Sequence, residues 1–485
     1  MRQANLSLKS CFNLRDMSEK PFTRVLLLLG LGVVSVFGLG FLLQGCQTIP
    51  ETPASSNKYR LVWNDDPNTT ITVAWDQHEQ ANAVVMYGKE DNGRAFWKYP
   101  TSKRADRVLE KYEMTTHFTK LTGLEADQEY YFVIKDDMGV SERYWFRTAP
   151  DTPKPFTFIA GGDTKSEDEP LEAGRASHRI VSKLRPLFVM FNGDFCSGNG
   201  TYPDRWHLWL NDWQNLTTTL DGRMIPIFPV HGNHENGDHA NLNYIFNTPY
   251  QENDSSKIYY SLSFGGDFFH IIALNSSVDP GGKQRDWLEN DLMSHKDFSF
   301  KIAGYHKPIW PHTTSKRENP YEYNQWAHLF YDYGLNMSMD GDSHMSKITF
   351  PLKPDSTSAD SYMGYVRDDE RGTMFLGEGS WGAFPRPNDD DKPWTIQSFR
   401  GNQIKWFHVL PEENNQPDRV SIYTIVSATY DAEEKQTLYD AEVESLTEDN
   451  LFDVPAGLKL IENGPYGVEL KYPFSLNQVE ALAEN

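Results

Sequence analysis

The sequence predicts a two-part chain: a small all-β sandwich over residues 58–149, then an α/β domain over residues 155–430. Three observations carry this expectation. Early segments such as TTITVAWDQ set Ile71, Val73 and Trp75 at alternate positions, the period-two pattern of a half-buried strand. From Pro155 onward, continuous apolar runs alternate with helical spacing, as buried strands covered by helices do. At 485 residues the chain is also too long for one ordinary core.

The first stretch reads as an export signal. Lys20 and Arg24 precede the apolar run VLLLLGLGVVSVFGLGFLLQGC over residues 25–46, giving a positive n-region and an apolar h-region. Met17 gives a more typical signal length than Met1. Leu43-Gln44-Gly45-Cys46 resembles a bacterial lipobox, so Cys46 is expected to be the lipidated first residue of a mature, exported lipoprotein held to the cell envelope by acyl chains. The alternative is an uncleaved membrane anchor, since the run is just long enough to span a bilayer. Gln47 at the next position suggests outer-membrane sorting in a Gram-negative host.

Residues 47–57, QTIPETPASSN, form a Pro/Ser-rich tether. AVVMYG, HFTKLTGL and EYYFVIKDDMGVSERYWFRTAP continue in short strands, the last a hairpin around Asp136, Asp137 and Gly139. PDTPKP, residues 150–155, is a linker. FTFIAGGD (strand), EPLEAGRASHRIVSKLR (helix) and PLFVMFNGD (strand) open the α/β region. DRWHLWLNDWQNLTTTL (helix), MIPIFPVHGNHE and DFFHIIALNSS (strands), KQRDWLENDLMSH (helix) and FSFKIAGYHKP (strand) follow. NQWAHLFYDYG and LNMSMDGDSHM complete the alternation, and QIKWFHVL and RVSIYTIV add two strands. Residues 431–485 form an acidic, weakly patterned extension to which the sequence assigns no role.

Composition removes several functions. A formal net charge of -22 argues against nucleic-acid binding, which needs a basic face to displace counterions. The three cysteines, Cys11, Cys46 and Cys196, are too few and too scattered for a disulfide framework or a Cys-x-x-Cys zinc site. Cys196 reads as a small buried filler rather than a ligand.

The strand ends carry the chemistry. Apolar runs finish in Asp163 (GGDTK), Asp194 (NGDFC), Asn233 and His234 (HGNHE), His306 (GYHKP), and Asp342 and His344 (DGDSH). In α/β sheets ligands bind at the carboxyl ends of strands, so these side chains are expected to converge on one rim. Neighbouring glycines let the backbone turn sharply and approach closely.

This order of GD, GD, GNHE, a strand ending in His and a Gly-x-x-His element resembles the calcineurin-like metallophosphoesterases. The preceding sandwich is similar to the immunoglobulin- or fibronectin-III-like N-terminal domain of purple acid phosphatases. The resemblance covers residues 58–410 and implies a four-layer αββα domain with two divalent or trivalent metal ions (Fe, Mn, Zn or Mg) hydrolysing phosphate esters. Two cations about 3.5–4 Å apart hold phosphate and acidify water, and they need a carboxylate between them. The resemblance makes Asp194 that bridge, gives Asp163 and His344 to metal one, and gives Asn233 and His306 to metal two. His234 corresponds to the acid that protonates the leaving alkoxide. His312, in HKPIWPH, is a candidate phosphate contact, although singly it reads, like His231 and His270, as an ordinary polar or buried histidine.

The pattern breaks at three positions. Purple acid phosphatases carry a Tyr three residues after the bridging Asp, where this chain has Ser197. Other members of the superfamily place a His two residues after the first Asp, where this chain has Lys165. Metal one thus lacks its usual fourth protein ligand. Lys165 either reaches a substrate phosphate or sits where a cation would be. The first His of Gly-His-x-His is Asp342, an oxygen donor expected to serve metal two.

The expected function is an exported, metal-dependent hydrolase of small phosphate monoesters. A phosphodiesterase or nucleotide hydrolase is the alternative enzyme, and a degenerate surface-binding lipoprotein the alternative class.

Overall fold

The computed structural model describes residues 49–79, 81–164, 171–199, 201–235, 240–461, 467–471 and 475–479. Cys46, the apolar run before it and Lys165 lie outside the described residues. No described helix is long and apolar enough to cross a membrane.

The sandwich is built from β1 (Ser56–Val62), β2 (Thr70–Gln77), β3 (Val84–Gly88), β4 (Thr101–Arg104), β5 (Arg107–Lys111), β6 (Met114–Thr122), β7 (Glu129–Lys135) and β8 (Tyr144–Arg147). One sheet runs β1-β2-β6-β5 and the other β4-β3-β7-β8, enclosing Val73, Trp75, Val85, Leu121, Phe132 and Phe146. The β7–β8 hairpin turns where expected, with Asp136 Oδ1 accepting the N–H groups of Met138 and Gly139, each at 2.9 Å. Strand β1 begins inside the segment read as a tether, and β4 and β5 were not anticipated. The latter two are mostly exposed edge strands, so they lack the apolar alternation that marks a strand in sequence.

The α/β part begins with β9 (Phe156–Gly161), β10 (Phe188–Phe191) and β11 (Ile227–Pro229), which pair in parallel. All six residues of β9 are buried, as expected of a strand covered on both faces. A second sheet contains β12 (Tyr260–Phe264), β13 (Phe269–Ala273), β14 (Phe300–Gly304) and β15 (Met337–Met339), of which the last three run parallel. It continues through β16 (Ser346–Thr349), β19 (Met374–Gly377) and β20 (Thr395–Phe399), while β17 (Leu352–Pro354) and β18 (Tyr365–Arg367) form a separate hairpin. Strand β21 (Asn402–Leu410) extends the first sheet antiparallel to β9, and β22 (Arg419–Tyr430) pairs antiparallel with β21.

The two sheets meet through aromatic rings. Phe158 of the first stacks on Phe188 and Phe407 at 4.9 and 4.3 Å between centroids, and meets Phe269 of the second at 5.4 Å. Helices Leu171–Leu184 and Pro203–Thr217 cover the outer side of the first sheet, where Phe191 meets Trp209 at 5.5 Å. Leu288 and Leu292 of helix Gly282–Ser294 and Phe330 of helix His328–Asp332 share a separate core with Ile272 and Ala303 of the second sheet. Helix, sheet, sheet, helix is the expected four-layer order.

Two features were not foreseen. Strand β1 pairs in parallel with β11 (Val62 opposite Ile227), and Trp63 N donates to Ile227 O at 3.1 Å, so a sandwich sheet runs on into the first α/β sheet. The acidic extension is also structured: β23 (Gln436–Leu438) and β24 (Gly467–Lys471) pair with β22, and β25 (Ser475–Val479) with β24. Between them, Asp440 accepts Arg179 Nε at 2.5 Å and Glu448 Oε1 accepts Arg185 and Arg223 at 2.8 and 2.9 Å. Such long-range ion pairs leave no local pattern.

Candidate metal centre

Each expected ligand follows the carboxyl end of a parallel strand. Asp163 follows β9, Asp194 follows β10, Asn233 and His234 follow β11, His306 follows β14, and Asp342 and His344 follow β15. The turns are tight enough that Asp163, Asp194, Asp342 and His344 adopt positive φ (64°, 53°, 66° and 54°), an uncommon conformation for residues with a Cβ. Glycine is required at two of the crossings. A Cβ on Gly193 (φ 85°) would lie 2.5 Å from Gly232 Cα and 2.9 Å from His306 Nδ1. One on Gly232 would lie 2.5 Å from Asp194 Oδ1.

The side chains converge. Ligand-capable atoms of Asp163, Asp194 and His306, all buried, lie within 4.8 Å of one another. His306 Nε2 is 3.2 Å from Asp194 Oδ1 and 3.8 Å from Asp342 Oδ1. The inward amide atom of Asn233 is 3.1 Å from His306 Nε2 and 2.9 Å from Asp342 Oδ1. His344 Nε2 is 3.3 Å from Asp163 Oδ1. Backbone carbonyls fix both rings: His306 Nδ1 donates to Asn192 O at 2.7 Å and His344 Nδ1 to Phe384 O at 3.3 Å. A carbonyl can only accept, so each Nδ1 carries a proton and each Nε2 is turned toward the carboxylates, the orientation a metal-binding imidazole needs.

This donor set fits cations. With its oxygen inward, Asn233 faces only acceptors, and carboxylate oxygens and imidazole nitrogens crowd the same space. Burial works against charging His306, yet Asp194, Asp163 and Asp342 push its imidazole up to about 10. The cluster demands positive charge, and without a cation a proton must supply it.

His234 stands at the edge of this cluster, partly exposed, with Nε2 3.7 Å from Asp194 Oδ2 and Nδ1 2.8 Å from Asn199 Oδ1. Its backbone N–H donates to Asp194 Oδ1 at 2.8 Å. His312 is not brought there, which corrects the expectation of a phosphate contact. It is fully buried, with Nδ1 3.0 Å from Glu378 Oε1 and Nε2 2.8 Å from Thr395 Oγ1, so both ring nitrogens are engaged. Glu378 in turn pairs with buried Lys347, which also pairs with Asp340, a charge network that fixes β16 to β19. Ser197 and Cys196 are buried. His270, Asp291 and His295 form another close group, but Asp291 and Ser263 take both nitrogens of His270, and Asp291 O lies 2.7 Å from His295 Nδ1.

Two residues escaped the sequence reading. Glu235, buried in the GNHE turn, accepts the backbone N–H groups of Gly232, Asp194 and Phe195 at 2.8, 3.0 and 3.1 Å. It clamps the Asp194 turn to the Asn233 turn, and its place in GNHE was the available signal. Lys316 donates to Asp342 Oδ1, and nothing in its own segment marks it.

Comparison with known proteins gives the same assignment. The purple acid phosphatase N-terminal domain matches residues 56–148, and the calcineurin-like phosphoesterase domain matches residues 151–346. Residues 151–346 are thus a calcineurin-like phosphoesterase domain, a hydrolase domain that here follows a purple acid phosphatase N-terminal domain. It is 25% identical over 390 residues to an uncharacterized protein of Mycobacterium tuberculosis, covering 67% of this chain and 71% of that one. It is 25% identical over 307 residues to purple acid phosphatase 15 of Arabidopsis thaliana, covering 54% and 56%. Among solved structures, purple acid phosphatase PPD1 of yellow lupin (Lupinus luteus) shares the fold at TM-score 0.62 and 16% identity, over 80% of this chain and 74% of that one. PhoD shares it at TM-score 0.59 and 11% identity, over 90% and 94%.

Proposed function

We propose that this chain hydrolyses small phosphate monoesters at a dinuclear metal centre outside the cytoplasm, held to the cell envelope by lipidated Cys46. The observation that carries the catalytic reading is the meeting of carboxylate, amide and imidazole acceptors from strand ends of both sheets. Asp163 and His344 would hold one ion, Asn233, His306 and Asp342 the other, and Asp194 both. When bound, such ions supply Lewis-acid charge to a phosphoryl oxygen and acidify water.

The chain's own residues do the rest. Glu235 and the Asn192 carbonyl hold Asp194 and His306 in place. His234 holds Nε2 3.7 Å from Asp194 Oδ2 while Asn199 steadies its other nitrogen, a position from which it would protonate a leaving alkoxide. Ser197 cannot supply a tyrosinate, so the loaded centre is expected to lack the purple tyrosinate-to-iron band.

Metal analysis with turnover of p-nitrophenyl phosphate and its bis-ester tests this reading. It expects two ions per chain, monoester turnover above diester turnover, and loss of both metal and activity in Asp194→Asn. A faster bis-ester rate transfers the assignment to a phosphodiesterase. A metal-free, inactive wild type leaves a binding lipoprotein.

A further inference from the structure

Asp342 brings a negative charge to a position where the purple acid phosphatases carry a neutral histidine, and the structure places a lysine on it. Lys316 Nζ donates to Asp342 Oδ1, the same oxygen that lies 2.9 Å from the inward Asn233 amide atom and 3.8 Å from His306 Nε2. Lys316 is held there. Thr314, two residues earlier, donates through N and Oγ1 to the two carboxylate oxygens of Asp389, each at 2.9 Å. From the same segment, Arg386 Nη1 donates to Asp342 O at 2.7 Å, and Asp342 N donates to Asp163 Oδ2 at 3.0 Å. Backbone and side chain of Asp342 are therefore both fixed, and the lysine-bearing loop is tied to the segment that fixes them.

We propose that Lys316 sets the occupancy of the second-ion position, by competing with the incoming cation for Asp342 Oδ1 and cancelling the charge that aspartate adds. This rests on the two-ion reading of the centre. A carboxylate oxygen that accepts from an ammonium has less charge to offer a metal, and the ammonium also repels the ion through space. Both effects fall on the Asn233–His306 side, because the oxygen that Lys316 engages is the one that lies against Asn233 and His306. Lys316 thus acts on one ion of the two: the ion beside Asn233 and His306 exchanges readily, while the ion held by Asp163 and His344 is left to its own ligands. Ready exchange would make activity follow the free concentration of the second metal, a sensitivity that a histidine in place of the Asp342–Lys316 pair would not confer.

The test measures metal rather than turnover. Full-length protein is titrated with Mn²⁺ by equilibrium dialysis, and spin-coupled electron paramagnetic resonance reports pair formation, for wild type, Lys316→Gln, Lys316→Arg, Asp342→Asn and Lys316→Gln/Asp342→Asn. Lys316→Gln is expected to bind the second Mn²⁺ about 10–100-fold more tightly, a typical span for groups that adjust a ligand. Lys316→Arg should match wild type, and the glutamine effect should shrink below about threefold in the Asp342→Asn background. The first ion's affinity should change little in Lys316→Gln. Lys316 is partly exposed on a loop, and Lys316→Met repeats the measurement with the apolar stem retained if the glutamine variant melts early. Unchanged second-ion affinity in Lys316→Gln and Lys316→Met overturns the proposal while the two-ion reading stands. If no protein, wild type included, takes up a second ion, the two-ion reading fails and the proposal falls with it.

Discussion

His178 is expected to make this protein's stability fall in acid, by an amount that follows from where the ring sits. It is 1% exposed on helix Leu171–Leu184, among Trp209, Trp213 and Trp381 at 5.9, 5.5 and 5.7 Å between centroids. Neither ring nitrogen has a hydrogen-bond partner among the described residues. Burial, reinforced by Arg179 and Arg175, pushes its imidazole down to about 3 from an ordinary 6.5. Between those values the unfolded chain binds a proton that the folded protein refuses, so stability rises with pH across the window and is lost as pH falls through about 6.5. Each pH unit below that point costs about 1.4 kcal/mol, so moving from pH 8 to pH 5 costs about 2 kcal/mol from this one ring. Urea unfolding at a series of pH values, in wild type and His178→Leu, measures it. The leucine variant should lose about 2 kcal/mol less between pH 8 and pH 5, whatever its stability at pH 8. Equal acid losses in the two proteins would refute the argument, because they would mean that the buried ring takes up its proton without unfolding.

Three other outcomes are expected. His234→Ala should slow hydrolysis of esters with poor leaving groups by about 10²–10⁴-fold with metal content unchanged, and much less for p-nitrophenyl esters; equal losses on both would remove it as the acid. Asp342→Ala should lose roughly one metal equivalent, and Asp342→His should regain it with a shift toward zinc, both read by metal analysis; an alanine variant that keeps both ions and full activity removes Asp342 from the ligand set. Cys46→Ala should release the protein from membranes or leave an unprocessed precursor, and failure of lipid labelling in wild type would end the lipoprotein reading.

What the sequence disclosed follows from how its signals arise. The parallel strands were legible because both their faces are buried, giving uninterrupted apolar runs such as FVMF of β10. The candidate ligands were legible because each sits just past such a run in a short glycine turn. Exposed strands β4 and β5 carried no alternation to read, and β1 was partly absorbed into a tether because its first two residues are only half-buried. His312 misled because spacing placed it near His306, while only the fold shows Glu378, 66 residues away, taking its ring. Lys316 and Glu448 were invisible for the same reason: their partners are 26 and 225 residues distant, and a lone charge does not announce what it pairs with.

The pairing of Val62 with Ile227 bears on how this protein can be cut and inherited. A fragment beginning near residue 155 would keep every proposed metal ligand yet bare one side of β11, the strand that leads directly into Gly232 and Asn233. Unpaired strand edges recruit other chains, so such a fragment should self-associate through the element that delivers the ligand loop. The N-terminal sandwich is therefore the missing neighbour of an active-site strand rather than an appended module. Recombination that exchanged it for an unrelated domain would have to supply a replacement strand in the same register.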